Sequence, residues 1–376
     1  MLPPGLGRNI LPVSNMEAVK ERVLKFAIEG EIKEIRPLGN GLINDTFKVV
    51  TAGEGPDYVL QCVNHAIFKD VDLLQSNIEA VTAHIRAKLE AAGEKDLDRK
   101  VLRFIPLKDS PKTYYFDGEK YWRVSVFIKD AFTFETVNPE YSYYAGKAFG
   151  NFEAMLADIP VKLGETIPDF HNMELRSRQL KEAIAADPVG RMADPEVQAI
   201  AAEIAEHDFE MCKAERMYRE GVLPKRICHC DTKVNNMMFD AEGNVLCVID
   251  LDTVMPSFVF SDFGDFLRTA ANTVAEDDPA VEKVDFRMDI FEAFAKGYIE
   301  SASCFLTPVE RENLPYGALL FPYMQAVRFF ADYINGDTYY KIKYPEHNLL
   351  RTRNQLALFR SAKSHVADMA SFIQSL

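Results

Sequence analysis

The chain has 376 residues, 48% hydrophobic and 27% charged, an ordinary globular composition that excludes intrinsic disorder. Its 43 basic and 57 acidic side chains leave a net charge of −14, which repels nucleic-acid phosphates and anionic lipid surfaces. No stretch approaches the ~20 consecutive apolar residues of a membrane helix, and the first residues lack the charged-then-apolar order of a secretory signal.

Residues 1–16 are rich in Pro, Gly and Asn and read as an irregular arm, followed by an amphipathic helix over Glu17 to Phe26. Ile32 to Pro37 and Asp45 to Thr51 alternate as strands do, and Tyr58 to Val63 is a third apolar run. The link from Gly39 to Asn44 is turn-rich and of hairpin length. Val71 to Ala91 places Leu74, Ile78, Val81 and Ile85 at helical spacing, and strands follow at Lys112 to Phe116 and Tyr121 to Ile128. Helical patterns then dominate: 141–156, 176–185, 195–220, 285–301, 308–333 and 352–374. They are interrupted over Arg226 to Asp252, which reads strand, loop, strand, turn, strand.

This order predicts an α+β, bilobal fold. A small β-rich lobe over residues 1–128 meets a large, mainly helical lobe over residues 129–376, with a cleft between them. Six cysteines are too few for a disulfide framework, and Cys228-His229-Cys230 lacks the second pair that a zinc site needs. A reduced, cytoplasmic protein with a small-molecule partner, and none in nucleic acid or membrane, is expected.

The chemistry concentrates in the interrupted segment. His229, Asp231 and Asn236 are spaced His-x-Asp-x4-Asn, and the apolar run Val245 to Ile249 ends in Asp250. Phosphoryl transfer needs one carboxylate to orient the attacking hydroxyl and take its proton. It also needs an amide oxygen and a second carboxylate to hold Mg²⁺ against the phosphates of ATP. Asp231 fits the first role, Asn236 and Asp250 the second, since hard cations prefer oxygen ligands. The turn at Asp240 to Gly243 is expected to fold Asp250 back over Asn236. The competing reading makes Asp231 and Asn236 turn formers and Asp250 a helix cap. His229 is read as a buried histidine bonded to backbone near Asp250, shaping the loop.

With Gly39 to Phe47, Ile67 to Asp70, Ala148 to Phe152, Ile167 to Asn172, Asp262 to Asp265, Arg328 to Asp337 and His347 to Leu349, these motifs resemble the aminoglycoside phosphotransferase and choline kinase superfamily, whose fold is that of the protein kinases. Within it the chain is similar to N-acetylhexosamine 1-kinases, over roughly residues 35 to 360. The resemblance implies Asp231 as catalytic base, Asn236 and Asp250 on Mg²⁺, and a loop with Gly39, Asn40, Gly41 and Asn44 over the ATP phosphates. It also implies Arg328 and Tyr339 at a sugar acceptor, whose anomeric hydroxyl becomes a 1-phosphate. From the residues alone, Gly39-Asn40-Gly41 is as good a hairpin turn, and Arg328 is equally placed to pair with Asp332 along a helix. Choline, ethanolamine, homoserine or an aminoglycoside are the alternative acceptors, with Asp252, Asp262 and Asp265 as carboxylates for a cation.

Kinases of this shape carry a cation on the third strand, and the similar sequences carry Arg where this chain has Cys62. That leaves Lys48, Lys69 or a neutral bond from Gln61 to meet the phosphates, and an Arg at position 62 is expected to tighten ATP. The other consequence is a pseudokinase that binds nucleotide without turning it over. Adenine is expected along the backbone from Ser125 to Lys129.

Overall fold

Alternating apolar residues build the first sheet. The structure, a computed structural model, describes residues 16–38, 44–134 and 137–376. After helix α1 (Met16–Val23), strands β1 (Ile32–Pro37), β2 (Asp45–Thr51) and β3 (Tyr58–Val63) run antiparallel. Helix α2 (Val71–Ala91) and the short α3 (Leu97–Lys100) precede β4 (Tyr114–Phe116) and β5 (Tyr121–Val126). Strand order is β1-β2-β3-β5-β4. One face carries Phe47, Val49, Leu60, Cys62, Trp122 and Val124, which pack on Val19 and Val23 of α1. The opposite face carries Lys48, Gln61 and Arg123, since side chains alternate along a strand.

The helical lobe follows with α4 (Pro139–Leu156), α5 (Met173–Ala186), α6 (Pro195–Met211) and α7 (Lys213–Arg219). Next come β6 (Arg226–Cys228), β7 (Met237–Phe239), β8 (Val245–Val248) and β9 (Met255–Ser257). Helices α8 (Phe260–Ala270), α9 (Met288–Ala302), α10 (Pro308–Glu312), α11 (Leu314–Ile334), α12 (His347–Ser364) and α13 (Val366–Ser375) complete it. The expected α+β, bilobal architecture is what forms. The two lobes share apolar packing: Leu74, Ile78 and Val81 of α2 meet Phe152 and Leu156 of α4 and Leu251 and Val254 beyond β8.

Glycine sets how closely the helical lobe closes. A Cβ at Gly297 of α9 would stand 2.1 Å from the carbonyl oxygen of Tyr143 in α4, so these helices touch backbone to backbone.

Several elements differ from expectation. The long patterns at 195–220, 308–333 and 352–374 are each two helices, broken at Cys212, Asn313 and His365. In the second case Thr307 and Glu310 form a capping box for α10, and Pro315 in the first turn of α11 restarts the helix. Helix α8 was not expected. Two aspartates and Gly264 lower its propensity, but Gly264 is needed because a Cβ there would lie 2.3 Å from the Gly317 carbonyl of α11. Among the described residues, no helix is long and apolar enough to cross a membrane.

Candidate active site

The loop from His229 to Asn236 joins β6 to β7 and is fastened from below by Asp262 of α8. That carboxylate is fully buried and accepts the backbone N–H of His229 (2.8 Å) and of Cys230 (2.7 Å). Thr232 Oγ1 donates to the Asp262 carbonyl at 2.9 Å, and Thr253 Oγ1 donates to the His229 carbonyl at 2.7 Å. Behind Asp262 lies Glu153 of α4, which accepts from the Tyr298 hydroxyl at 3.0 Å. Burial and the neighbouring Asp262 push Glu153 well above the carboxylate range, and burial raises Asp262 too, against the two backbone N–H groups that favour its charge.

His229 is fully buried, with the rings of Phe149 and Phe152 edge-on to it. Its Nε2 lies 2.9 Å from the Ile249 carbonyl. A carbonyl only accepts, so Nε2 carries the proton. The expected bond to backbone beside Asp250 is present.

Asp231 points out of the loop and is held by Lys233 Nζ, 2.7 Å from one carboxylate oxygen and 2.9 Å from the other. Burial by itself would raise the Asp231 pKa, but the charge and hydrogen bond of Lys233 outweigh it and hold the pKa below the usual range. Asn236 is buried, donates through Nδ2 to the Asp231 carbonyl at 2.8 Å, and accepts Ile249 N–H on its own backbone carbonyl at 2.9 Å. Its side-chain oxygen takes no protein hydrogen bond among the described residues.

The β7–β8 hairpin pairs Met237 with Val248, and so returns Asp250 beside Asn236 as expected. Asp250 adopts φ +62°, a left-handed conformation rare outside glycine. Asp250 is exposed, yet the protein packed around it desolvates its carboxylate. That enclosure, then the charges of Asp252 and Asp231, push its pKa up to about 6. No described donor meets its carboxylate. An open, crowded carboxylate beside an unused amide oxygen suits a hard divalent cation, so the residues fit Mg²⁺.

On the nucleotide side, Gly39, Asn40 and Gly41 lie outside the described residues. Asn44 is described, and its side chain is held within the protein: Nδ2 donates one hydrogen to Asp252 (2.7 Å) and Oδ1 accepts the N–H of Asn64 (2.9 Å). Its backbone N–H and the second Nδ2 hydrogen are what it has left for a phosphate. Val126 and Phe127 N–H donate to the carbonyls of Arg103 and Asp57, so these two N–H groups are not free for adenine.

The expectation attached to Cys62 is corrected. Cys62 pairs with Trp122 on the face packed against α1, where burial pushes its thiol up to about 11. An Arg there would stand on the wrong side of the sheet. Lys48 is committed as well, 3.2 Å from Asp57 and over the Phe127 ring. The buried cation on the opposite face of the sheet is Arg123 of β5, which sequence reading missed because its partner, Asp252, is remote in the chain. Cys62→Arg is therefore expected to leave the KM for ATP within about twofold while overpacking costs ~1–3 kcal/mol of stability. Initial-rate kinetics beside a melting curve check both.

Arg328 of α11 is half-buried, its guanidinium 6.0 Å from the Phe170 ring and 5.7 Å from that of Tyr340. It donates to Gln325 Oε1 at 3.3 Å and does not pair with Asp332. That carboxylate is taken by the N–H groups of Tyr339 and Tyr340, at 2.7 and 2.8 Å, and by Asn348 Nδ2 at 2.9 Å. Phe170 packs on Cys230, which brings Arg328 near the catalytic loop. Tyr339 is exposed and edge-on to Tyr340.

Comparison with known proteins is consistent with this geometry. The sequence model of a phosphotransferase enzyme family matches residues 34–302. Among solved structures, an aminoglycoside phosphotransferase from Alicyclobacillus acidocaldarius is 11% identical with a TM-score of 0.62, covering 99% of this chain and 98% of its own. Choline kinase from Cryptosporidium parvum is 14% identical with a TM-score of 0.57, covering 96% and 99%. Ethanolamine kinase from Plasmodium vivax is 14% identical with a TM-score of 0.50, covering 88% and 84%.

Proposed function

The chain belongs to the phosphotransferase enzyme family, and we propose that it moves the γ-phosphoryl group of ATP to the anomeric hydroxyl of an N-acetylhexosamine. The observation that carries the chemistry is the ionised Asp231 carboxylate, set beside the Asn236 amide and the open Asp250 carboxylate. Asp231 accepts the hydrogen bond of the incoming hydroxyl. It takes up that proton as the oxygen–phosphorus bond forms and the bond to the β–γ bridging oxygen breaks, releasing ADP. Asn236 and Asp250 would hold Mg²⁺, which when bound supplies positive charge to the phosphates. His229 keeps the loop in shape through Ile249. In this reading the lobe of residues 1–128 carries nucleotide and that of residues 129–376 carries acceptor.

An uncharged sugar is favoured over a cationic alcohol by the state of the nearby acids. Asp252 is held by Arg123 and Asn44, Asp262 by two backbone N–H groups, and Asp265 lies 3.6 Å from Arg268. Asp252 and Asp262 are therefore committed to partners inside the protein, and Asp265 is left with Arg268 as its counter-charge. Arg328 has no acidic partner among the described residues, so its donors are available to sugar oxygens, and the exposed Tyr339 ring offers a further surface for a sugar.

The test is a panel of acceptors with Mg-ATP, scored for ATP consumed and for loss of the reducing end. N-acetylglucosamine or N-acetylgalactosamine is expected to lose its reducing end in step with ATP. Consumption only with choline, ethanolamine or an aminoglycoside would sink the sugar assignment.

A further inference from the structure

Asp252 is 3% exposed, and both its carboxylate oxygens are claimed by the β-rich lobe. Arg123 Nη2 lies 2.6 Å from one, and Asn44 Nδ2 donates to the other at 2.7 Å. Arg123, also 3% exposed, is braced by Nε donating to Gln61 Oε1 at 3.0 Å and by the Phe104 ring 5.4 Å away. From the helical lobe, Thr166 Oγ1 donates to the Asp252 carbonyl at 2.9 Å. One buried carboxylate thus gathers the start of β2, the cleft face of β5 and the turn after β8.

A buried ion pair seldom adds stability over an apolar pair of similar volume, so stability gives no reason for this one. Its location does. Asp252 sits in the turn Leu251–Thr253, immediately after Asp250. Asp250 is tied on its other side by Ile249 N–H to the Asn236 carbonyl. Wherever Asp252 is held, Asp250 follows.

We propose that Arg123 is a positioning residue: through Asp252 it sets, from the nucleotide-side sheet, where the Asp250 carboxylate stands. This rests on the phosphotransferase reading above. The buried pair registers Asp250 against the nucleotide-side sheet, and Asn44 ties the start of β2 to the same group.

Calorimetric titration of ADP, with and without Mg²⁺, tests this on the full chain without requiring turnover. For the wild-type protein Mg²⁺ is expected to tighten ADP. Arg123→Gln is expected to lose tenfold or more of that tightening while metal-free ADP affinity stays within about twofold. The double variant Arg123→Gln with Asp252→Asn removes the charge that the single variant strands. It is expected to recover the melting temperature but not the Mg²⁺ effect, a split that a merely structural pair does not produce. Wild-type Mg²⁺ tightening in either variant would overturn the proposal, and the double variant answers should the single one fail to fold. A wild-type protein that binds ADP equally with and without Mg²⁺ would instead overturn the phosphotransferase reading, and the proposal with it.

Discussion

Asp231→Asn lowers kcat by about 10³-fold or more, which is ~4 kcal/mol of barrier, and leaves ADP affinity within about threefold. The asparagine keeps the size and one acceptor oxygen of the aspartate but cannot take a proton. Two features of the site make the loss specific to chemistry. Lys233 is 41% exposed, so losing its partner leaves a solvated ammonium and costs little stability. The loop itself hangs on Asp262 and His229, not on the Asp231 side chain. A folded variant that binds nucleotide without turning it over is the expected result, read by initial rates and by calorimetry on one preparation. Near-normal turnover would remove Asp231 from the role of base.

Asp262→Ala is the second large effect, and it acts on stability and rate together. Removing the carboxylate strands the buried N–H groups of His229 and Cys230, at ~1–3 kcal/mol each. Relief of the neighbouring Glu153 offsets part of this, so a loss of ~3 kcal/mol in urea unfolding is expected. The loop then loses its anchor one residue from Asp231, and kcat of the folded fraction falls by about 10². Asp262→Asn keeps one acceptor and is expected to lie between the two. Unchanged kcat in folded Asp262→Ala would mean that the loop holds its shape without α8.

What was legible in the sequence was what local chemistry dictates. Asp231, Asn236 and Asp250 fall on one loop and the hairpin that follows it, so their spacing alone brings them together. Strands β2 and β3 and helix α2 were readable to the residue because each buries one face, and the bounds of β1 were read as well although none of its residues is fully buried. Partnerships across the chain were not readable. Arg123 looked like any strand arginine until Asp252, remote in sequence, was found against it. Asp262 carried no sign that it would accept two loop amides, since the helix that presents it was itself unrecognised. Cys62 was misread for a geometric reason: strand alternation turns Gln61 toward Arg123 and Cys62 toward Trp122 and α1, and a one-residue difference decides the face.

Transfer of phosphate from ATP to a small-molecule hydroxyl has a direct spectroscopic signature. Phosphorus NMR of the protein with Mg-ATP and N-acetylglucosamine reads it most directly. A new phosphomonoester resonance coupled to the anomeric proton is expected, growing in step with ADP and abolished by chelating Mg²⁺. ADP accompanied only by inorganic phosphate at the same rate with or without any acceptor, or unchanged ATP across the acceptor panel, would contradict it.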